Sequence, residues 1–158
     1  MLTVPPDKIE NAITTKIAYT EFPTNIIGYK TMIDEMVKLA KSRNGVGLSS
    51  IQIGIPFRLF VAYDFDNFVW KAFFNASYCP LGNSKTFAAM EGCLTYPTNQ
   101  NYTLTRYDSV YVEWDELTAE DVLAHRVKRF FGKTAQVLQH EIDHCDGKTV
   151  KMIGKLMV

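Results

Sequence analysis

Only three histidines and three cysteines occur in this chain of 158 residues, so metal or nucleophile chemistry has few side chains to draw on. Cys79, Cys93 and Cys145 form no paired pattern, which excludes a disulfide scaffold and points to a reducing compartment. Charge of one sign is not in excess, since lysine plus arginine and aspartate plus glutamate each number 17. Binding to a phosphate backbone needs a basic surplus, so nucleic acid is not an expected partner. No apolar run approaches the roughly 20 residues of a membrane span. The opening Met1-Leu-Thr-Val-Pro-Pro-Asp-Lys lacks the charged-then-apolar pattern of a signal peptide. A cytoplasmic, monomeric protein without membrane contact is expected. Internal repeats and low-complexity tracts are also missing. What is present is 47% apolar residues over a length that suits one domain, residues 1–158, with a sizeable core.

Two of the three histidines lie in Gln139-His140-Glu141-Ile142-Asp143-His144. On a helix, residues i and i+4 share a face one turn apart. His140 and His144 so placed can grip one metal ion, and Glu141 beside them is a candidate general base. An exposed helix that merely happens to carry these residues is the bland alternative, and three residue types at fixed offsets argue against it.

A third ligand is needed. A longer motif, His-Glu-x-x-His-x-x-Gly-x-x-His, fails because Val150 stands where its last histidine would be, although Gly147 matches its glycine. A glutamate from a later helix also fails, because Asp146 is the only acid among the residues after His144. The upstream candidates are Cys93, in Met90-Glu91-Gly92-Cys93-Leu94-Thr95-Tyr96-Pro97, and His125, in a charged stretch that reads as a strand. Cys93 is favoured, since a thiolate with two imidazoles leaves a fourth position for water. Cys145 continues the apolar stripe Ala135, Leu138, Ile142, and Cys79 precedes Pro80 in an expected loop; both read as small apolar fillers.

Periodicity places the motifs. Ile26, Tyr29, Ile33, Met36, Val37 and Ala40 recur at helical spacing, with Thr24 or Asn25 as cap and Asn44-Gly45 as stop. The segment after that stop is expected to be a glycine-bearing loop. Residues 57–63, 68–74, 109–114 and 122–130 read as strands, with a turn at 64–67. Residues 133–145 form the motif helix, ended by Gly147, with an inner apolar stripe on the sheets and both histidines toward a cleft. The expected fold is α+β, with mostly antiparallel sheets packed around a central helix that carries the His-Glu-x-x-His motif.

Three segments taken together, Gly45-Val-Gly-Leu-Ser-Ser-Ile-Gln52, Glu91-Gly-Cys-Leu-Thr95 and Gln139-His-Glu-Ile-Asp-His-Cys-Asp-Gly147, resemble the peptide deformylase family. That family carries Gly-x-Gly-Leu-Ala-Ala-x-Gln, Glu-Gly-Cys-Leu-Ser and Gln-His-Glu-x-Asp-His-Leu-x-Gly in the same order. The resemblance runs from about Ile26 to the C-terminus. It implies a metallohydrolase that removes the formyl group from N-terminal formylmethionine of newly made polypeptides and releases formate. It implies that Cys93, His140 and His144 hold one divalent ion, Fe(II) first and Zn, Ni or Co as alternatives. Glu141 would be the acid/base, with the Gln52 amide and the Leu94 backbone N–H as oxyanion donors. Gly45, Val46, Gly47, Glu91 and Gly92 would line the peptide cleft, and Val46, Ala89 and Val137 would border the methionine pocket. The partners would be N-formylmethionyl peptides and nascent chains, in bacterial cytoplasm or in that of a phage-infected host.

The chain departs from the pattern at several points. Ser49-Ser50 replace Ala-Ala, Thr95 replaces Ser, and Cys145 replaces Leu. Lys133 and Gln136 stand before His140 where apolar residues are usual. An arginine that often follows the Cys-Leu-Ser motif has no clear match, with Gln100 near its place and Arg106 later. The C-terminal helix of many bacterial members, linked to ribosome docking, is not expected after Val158, and the short form is similar to phage-encoded members. Two rival readings share the helix motif: a zinc endopeptidase, and a non-enzymatic, metal-stabilised module that binds peptide N-termini.

Overall fold

A computed structural model describes residues 16–22, 27–97 and 99–157. Helix α1 spans Ile27–Ser42. Its expected caps, Thr24 and Asn25, lie outside the described residues, as does Ile26. At its end Asn44 adopts φ +56° and the Gly45 N–H reaches back to the Ala40 carbonyl at 2.9 Å, so the stop falls where the sequence placed it. The next segment is not the expected loop. It forms strand β1, Gly47–Ser49, and a buried 3-10 turn, Ser50–Ile53.

The remaining elements follow in order: β2 (Leu59–Asp64), β3 (Val69–Pro80), β4 (Thr86–Glu91), β5 (Tyr102–Tyr107), β6 (Ser109–Leu117), β7 (Leu123–Phe131), α2 (Gly132–Cys145), α3 (Val150–Ile153) and β8 (Lys155–Leu156). Two antiparallel sheets result, one in the order β1-β2-β3-β6-β7 and one in the order β4-β5-β8. The mixed α+β architecture matches the expectation. The strands of the second sheet, β4, β5 and β8, were not foreseen. β4 carries exposed Phe87 and Met90, and β5 alternates apolar residues with threonine and ends inward on an arginine, so neither gives a clean apolar period.

Strand periodicity explains how the larger sheet carries a helix on each face. On β2, Phe60 and Ala62 join Phe73, Val112, Trp114 and Phe130 beneath Ala135, Leu138, Ile142 and Cys145 of α2. Val61, one residue out of step, packs with Leu48 and Ile53 against Met36 and Ala40 of α1. Burying side chains such as these contributes on the order of 1.5–3 kcal/mol each.

The smaller sheet is held to α2 by polar bonds. The Gln139 side chain accepts from the Tyr107 N–H at 3.0 Å and donates to the Tyr107 carbonyl at 2.8 Å, which substitutes for a missing strand partner at the end of β5. β3 bulges between Phe74 and Ser77, where Asn75 takes φ +53° and bonds both backbone groups of Thr20. Cys79 lies on β3 and is exposed, so the loop and filler expectation for it is corrected. Cys145 is fully buried in the core as expected, and that burial pushes its thiol up to about 12. No helix among the described residues is long and apolar enough to cross a membrane.

Candidate active site

Helix α2 brings His140 and His144 onto one side, and the turn after β4 brings Cys93 to meet them. Their Cys93 Sγ and imidazole nitrogens all lie within 4.8 Å of one another. The two Nε2 atoms are 3.1 Å apart, and Cys93 Sγ is 3.5 Å from His144 Nε2. A tetrahedral ion with bonds of roughly 2.0–2.3 Å separates its donors by roughly 3.3–3.8 Å, so the spacing suits a single ion. His140 Nδ1 lies 2.8 Å from Glu91 Oε1; with its proton there, Nε2 presents a bare lone pair toward His144. His125 is elsewhere. It is exposed on β7 between Asp115 and Glu113, whose carboxylates raise its imidazole.

Electrostatics favour a cation at this point. Burial alone would raise the Cys93 thiol, but the imidazoles of His144 and His140 outweigh it and hold the group well below its ordinary value. Burial alone would lower His140, yet Cys93 and Glu91 lift it well above its ordinary value. A thiolate and two imidazoles within a few ångström form a donor set that suits Fe(II), Zn, Ni or Co.

Glu141 lies beside these donors and is almost fully buried. Its Oε2 has no hydrogen-bond partner. Burial raises its carboxyl group, so it can take and hold a proton nearer neutrality than an exposed glutamate. Gly47 makes room for it: a Cβ there would stand 2.6 Å from Glu141 Oε1. Gln52 is fixed by its own 3-10 turn. The Ser49 N–H donates to Gln52 Oε1 at 2.9 Å, which turns the amide nitrogen toward Thr95 Oγ1 at 3.0 Å and Cys93 Sγ at 3.6 Å. Leu94 follows Cys93 in the turn and packs its side chain over Gly45, where an added Cβ would meet it at 2.8 Å.

A cleft of about 680 Å³ opens over this group, lined by Val46, Gly47, Gln52, Glu91, Gly92, Cys93, Leu94, Val137, His140 and Glu141. Gly45 and Ala89 do not line it; Ala89 is buried in β4 beneath its rim. His144 does not face it either. That residue is fully buried behind His140, which corrects the expectation that both rings face the cleft. Lys133, Gln136 and Gln100 do line it.

Arg106 is the residue that motif reading undervalued. Its guanidinium spans both oxygens of Glu91 at 2.9 Å and also bonds Asp143, to which Tyr78 donates at 3.2 Å. Gln136 adds a bond to Glu91 Oε2 at 3.1 Å. Burial would raise Glu91, but Arg106 and His140 outweigh it and hold the carboxyl down to about 2. The signal was present in β5, where Tyr102, Leu104 and Arg106 share the buried face and one of them is an arginine. An arginine at a core position predicts buried carboxylates nearby.

A thiolate and two imidazoles, with a buried acid and an amide donor beside them under a peptide-sized cleft, suit a mononuclear metallohydrolase. Residues 5–153 match the family model for polypeptide deformylase. The chain is 35% identical over 123 residues to a peptide deformylase of Brachyspira hyodysenteriae, a match that covers 74% of this chain and 63% of that protein. The fold superposes on the crystal structure of a Thermotoga maritima peptide deformylase with a TM-score of 0.76 at 26% identity, covering 90% of this chain and 91% of that one. A probable peptide deformylase from Synechococcus phage S-SSM7 shares the fold, with a TM-score of 0.74 at 24% identity over 89% of this chain and 92% of that one. This chain belongs to the polypeptide deformylase family.

Proposed function

We propose that this chain hydrolyses the formyl amide of peptides that begin with formylmethionine, releasing formate and a free amino terminus. The observation that carries this reading is the convergence of Cys93, His140 and His144 beside the buried, unpartnered Glu141 Oε2. Cys93 Sγ, His140 Nε2 and His144 Nε2 would hold one divalent ion, and Fe(II) is the ion we assign, ahead of Zn, Ni or Co. When bound, the ion supplies Lewis acidity, bringing water toward ionisation near neutral pH and polarising a carbonyl oxygen.

The chain's own residues do the rest. Glu141 takes the proton as water attacks the formyl carbon. Gln52 Nε2 and the Leu94 N–H donate to the oxyanion that develops, and each such donor is worth about 3–4 kcal/mol of transition-state stabilisation. Glu141 returns the proton to the leaving nitrogen, the C–N bond breaks, and formate departs. Val46 and Val137 offer apolar surface for the methionine side chain, with Gly47 and Gly92 flanking the peptide backbone. The substrates are formylated peptides and nascent chains, acted on by a monomeric single domain, residues 1–158, in bacterial cytoplasm or that of a phage-infected host.

Formate release from formyl-Met-Ala-Ser, by protein purified without oxygen and assayed for metal on the same sample, tests this. Formate should rise in step with bound metal, and Glu141→Ala should keep the metal while losing roughly 10²–10⁴-fold in rate. Fully metallated protein that releases no formate, or a Glu141→Ala variant near the native rate, sinks the assignment. Cleavage of internal bonds in a blocked peptide would instead support an endopeptidase.

A further inference from the structure

The cleft wall carries two cations with no acid paired to them among the described residues. Arg43, just past α1, and Lys133, in the first turn of α2, both line the cleft and are both exposed. Neither belongs to an ion pair among the described residues, so the charge of each is left for whatever enters the cleft. The acids of the cleft do not answer them. Glu91 is buried and already bonded to Arg106, His140 and Gln136, and Glu141 is buried at the floor.

Lys133 is also badly placed for its own helix. The first turn of α2 holds no acidic residue, and a cation there adds to the positive end of the helix dipole. Helix stability does not explain this lysine, whereas an anion arriving in the cleft would meet the lysine and the dipole together. The chain carries equal numbers of acidic and basic residues, so this is a local field and not a general surplus.

A peptide laid in the cleft from His140 toward the start of α2 would bring its later residues to Lys133. Lys133 stands seven residues before His140, or roughly 10 Å along the axis at about 1.5 Å per residue. An extended peptide advances about 3.3 Å per residue. Allowing for the length of the lysine side chain, a carboxylate one or two residues beyond the formylated one comes within its reach.

We infer that Arg43 and Lys133 are specificity residues that select formyl peptides with an acidic side chain at the second or third position. The inference rests on the deformylase reading of the site. Long-range attraction of this kind acts on binding, so it should appear in KM and leave kcat alike between peptides.

The test compares kcat and KM for formyl-Met-Asp-Ala and formyl-Met-Lys-Ala, and for formyl-Met-Ala-Asp and formyl-Met-Ala-Lys, on metal-loaded protein. In at least one pair the acidic peptide should be favoured by on the order of 5–10-fold in kcat/KM, carried by KM, as two partly exposed charge contacts allow. That preference should shrink in 0.5 M salt, where the Debye length is only a few ångström. The double variant R43A/K133A should bring the ratio close to one; because the ratio is taken within one protein, a general loss of activity cancels. Equal kcat/KM within both pairs overturns the inference and leaves the deformylase reading intact. A preference that survives in R43A/K133A overturns the assignment to these residues. No turnover of any formyl peptide overturns the deformylase reading and this inference with it.

Discussion

Gly47 shows how one missing side chain sets a site. Its Cα lies so close to Glu141 that an added Cβ would meet Oε1 at 2.6 Å and Cδ at 2.9 Å. The backbones of both are held, Gly47 in β1 paired with Ala62 and Glu141 within α2, and the atoms met belong to the end of the Glu141 side chain, so the carboxylate is what must move. Gly47→Ala should therefore displace the carboxylate without touching Cys93, His140 or His144. A shift approaching an ångström at a catalytic group costs on the order of 10²-fold in rate. Steady-state formate release with metal content measured in parallel checks this, and a variant with native turnover would show that Glu141 does not need its observed position. Gln52 is constrained in a different way. One end of its amide is spent on the Ser49 N–H, so the other end can only present N–H groups toward Cys93 and Thr95.

At the scale of elements, α2 is tied to the smaller sheet by a buried polar network. Arg106 of β5 holds Glu91 of β4 and Asp143 of α2, and Glu91 in turn orients His140. Removing a cation from such a cluster leaves carboxylates buried and unpaired. Arg106→Leu should destabilise the fold by about 3–5 kcal/mol in urea unfolding, and a loss below about 1 kcal/mol would mean that the cluster relaxes by admitting water.

The same network sets an acid limb. Glu91 is held down to about 2 against an ordinary value of 4.5, so the unfolded chain binds the proton more readily than the folded one. The stability it contributes is complete above about pH 5 and is lost as pH falls from there toward 2. In Glu91→Gln the unfolding free energy should fall less steeply over that window than in the native chain. Parallel slopes for the two proteins would assign the acid limb to other carboxylates, of which Asp64, also held near 2, is the first to consider.

For the molecule as a whole, the metal group acts as a clasp. Cys93 comes from the turn after β4 and the histidines come from α2, so an ion bound there joins the smaller sheet to the helix on which the larger sheet packs. An ion that binds the folded chain and not the unfolded one stabilises by mass action, about 4 kcal/mol at a thousandfold excess over Kd. For a domain of this size that corresponds to a Tm lower by on the order of 10 °C after chelation. Calorimetry of metal-loaded and chelated protein measures it, and an unchanged Tm would place the metal outside the folded state's stability.

The three motif segments were legible in the chain because chemistry ties residue types to fixed local offsets. His140, Glu141 and His144 fall on one helix, and helical periodicity alone places them. Cys93 could be ranked above His125 from ligand chemistry, and the structure brings Cys93, not His125, to the two imidazoles. What the sequence did not disclose is long-range. The second sheet joins β5 to β8 across some fifty residues of chain, and short strands with mixed faces carry no period of their own. The Arg106 cluster draws on β4, β5 and α2, so its meaning exists only once those elements are packed. Burial of His144 behind His140, the removal of Gly45 and Ala89 from the cleft wall, and the gathering of Arg43 and Lys133 on that wall were likewise decided by tertiary structure. A local offset fixes which residues share a face; only packing fixes what that face meets.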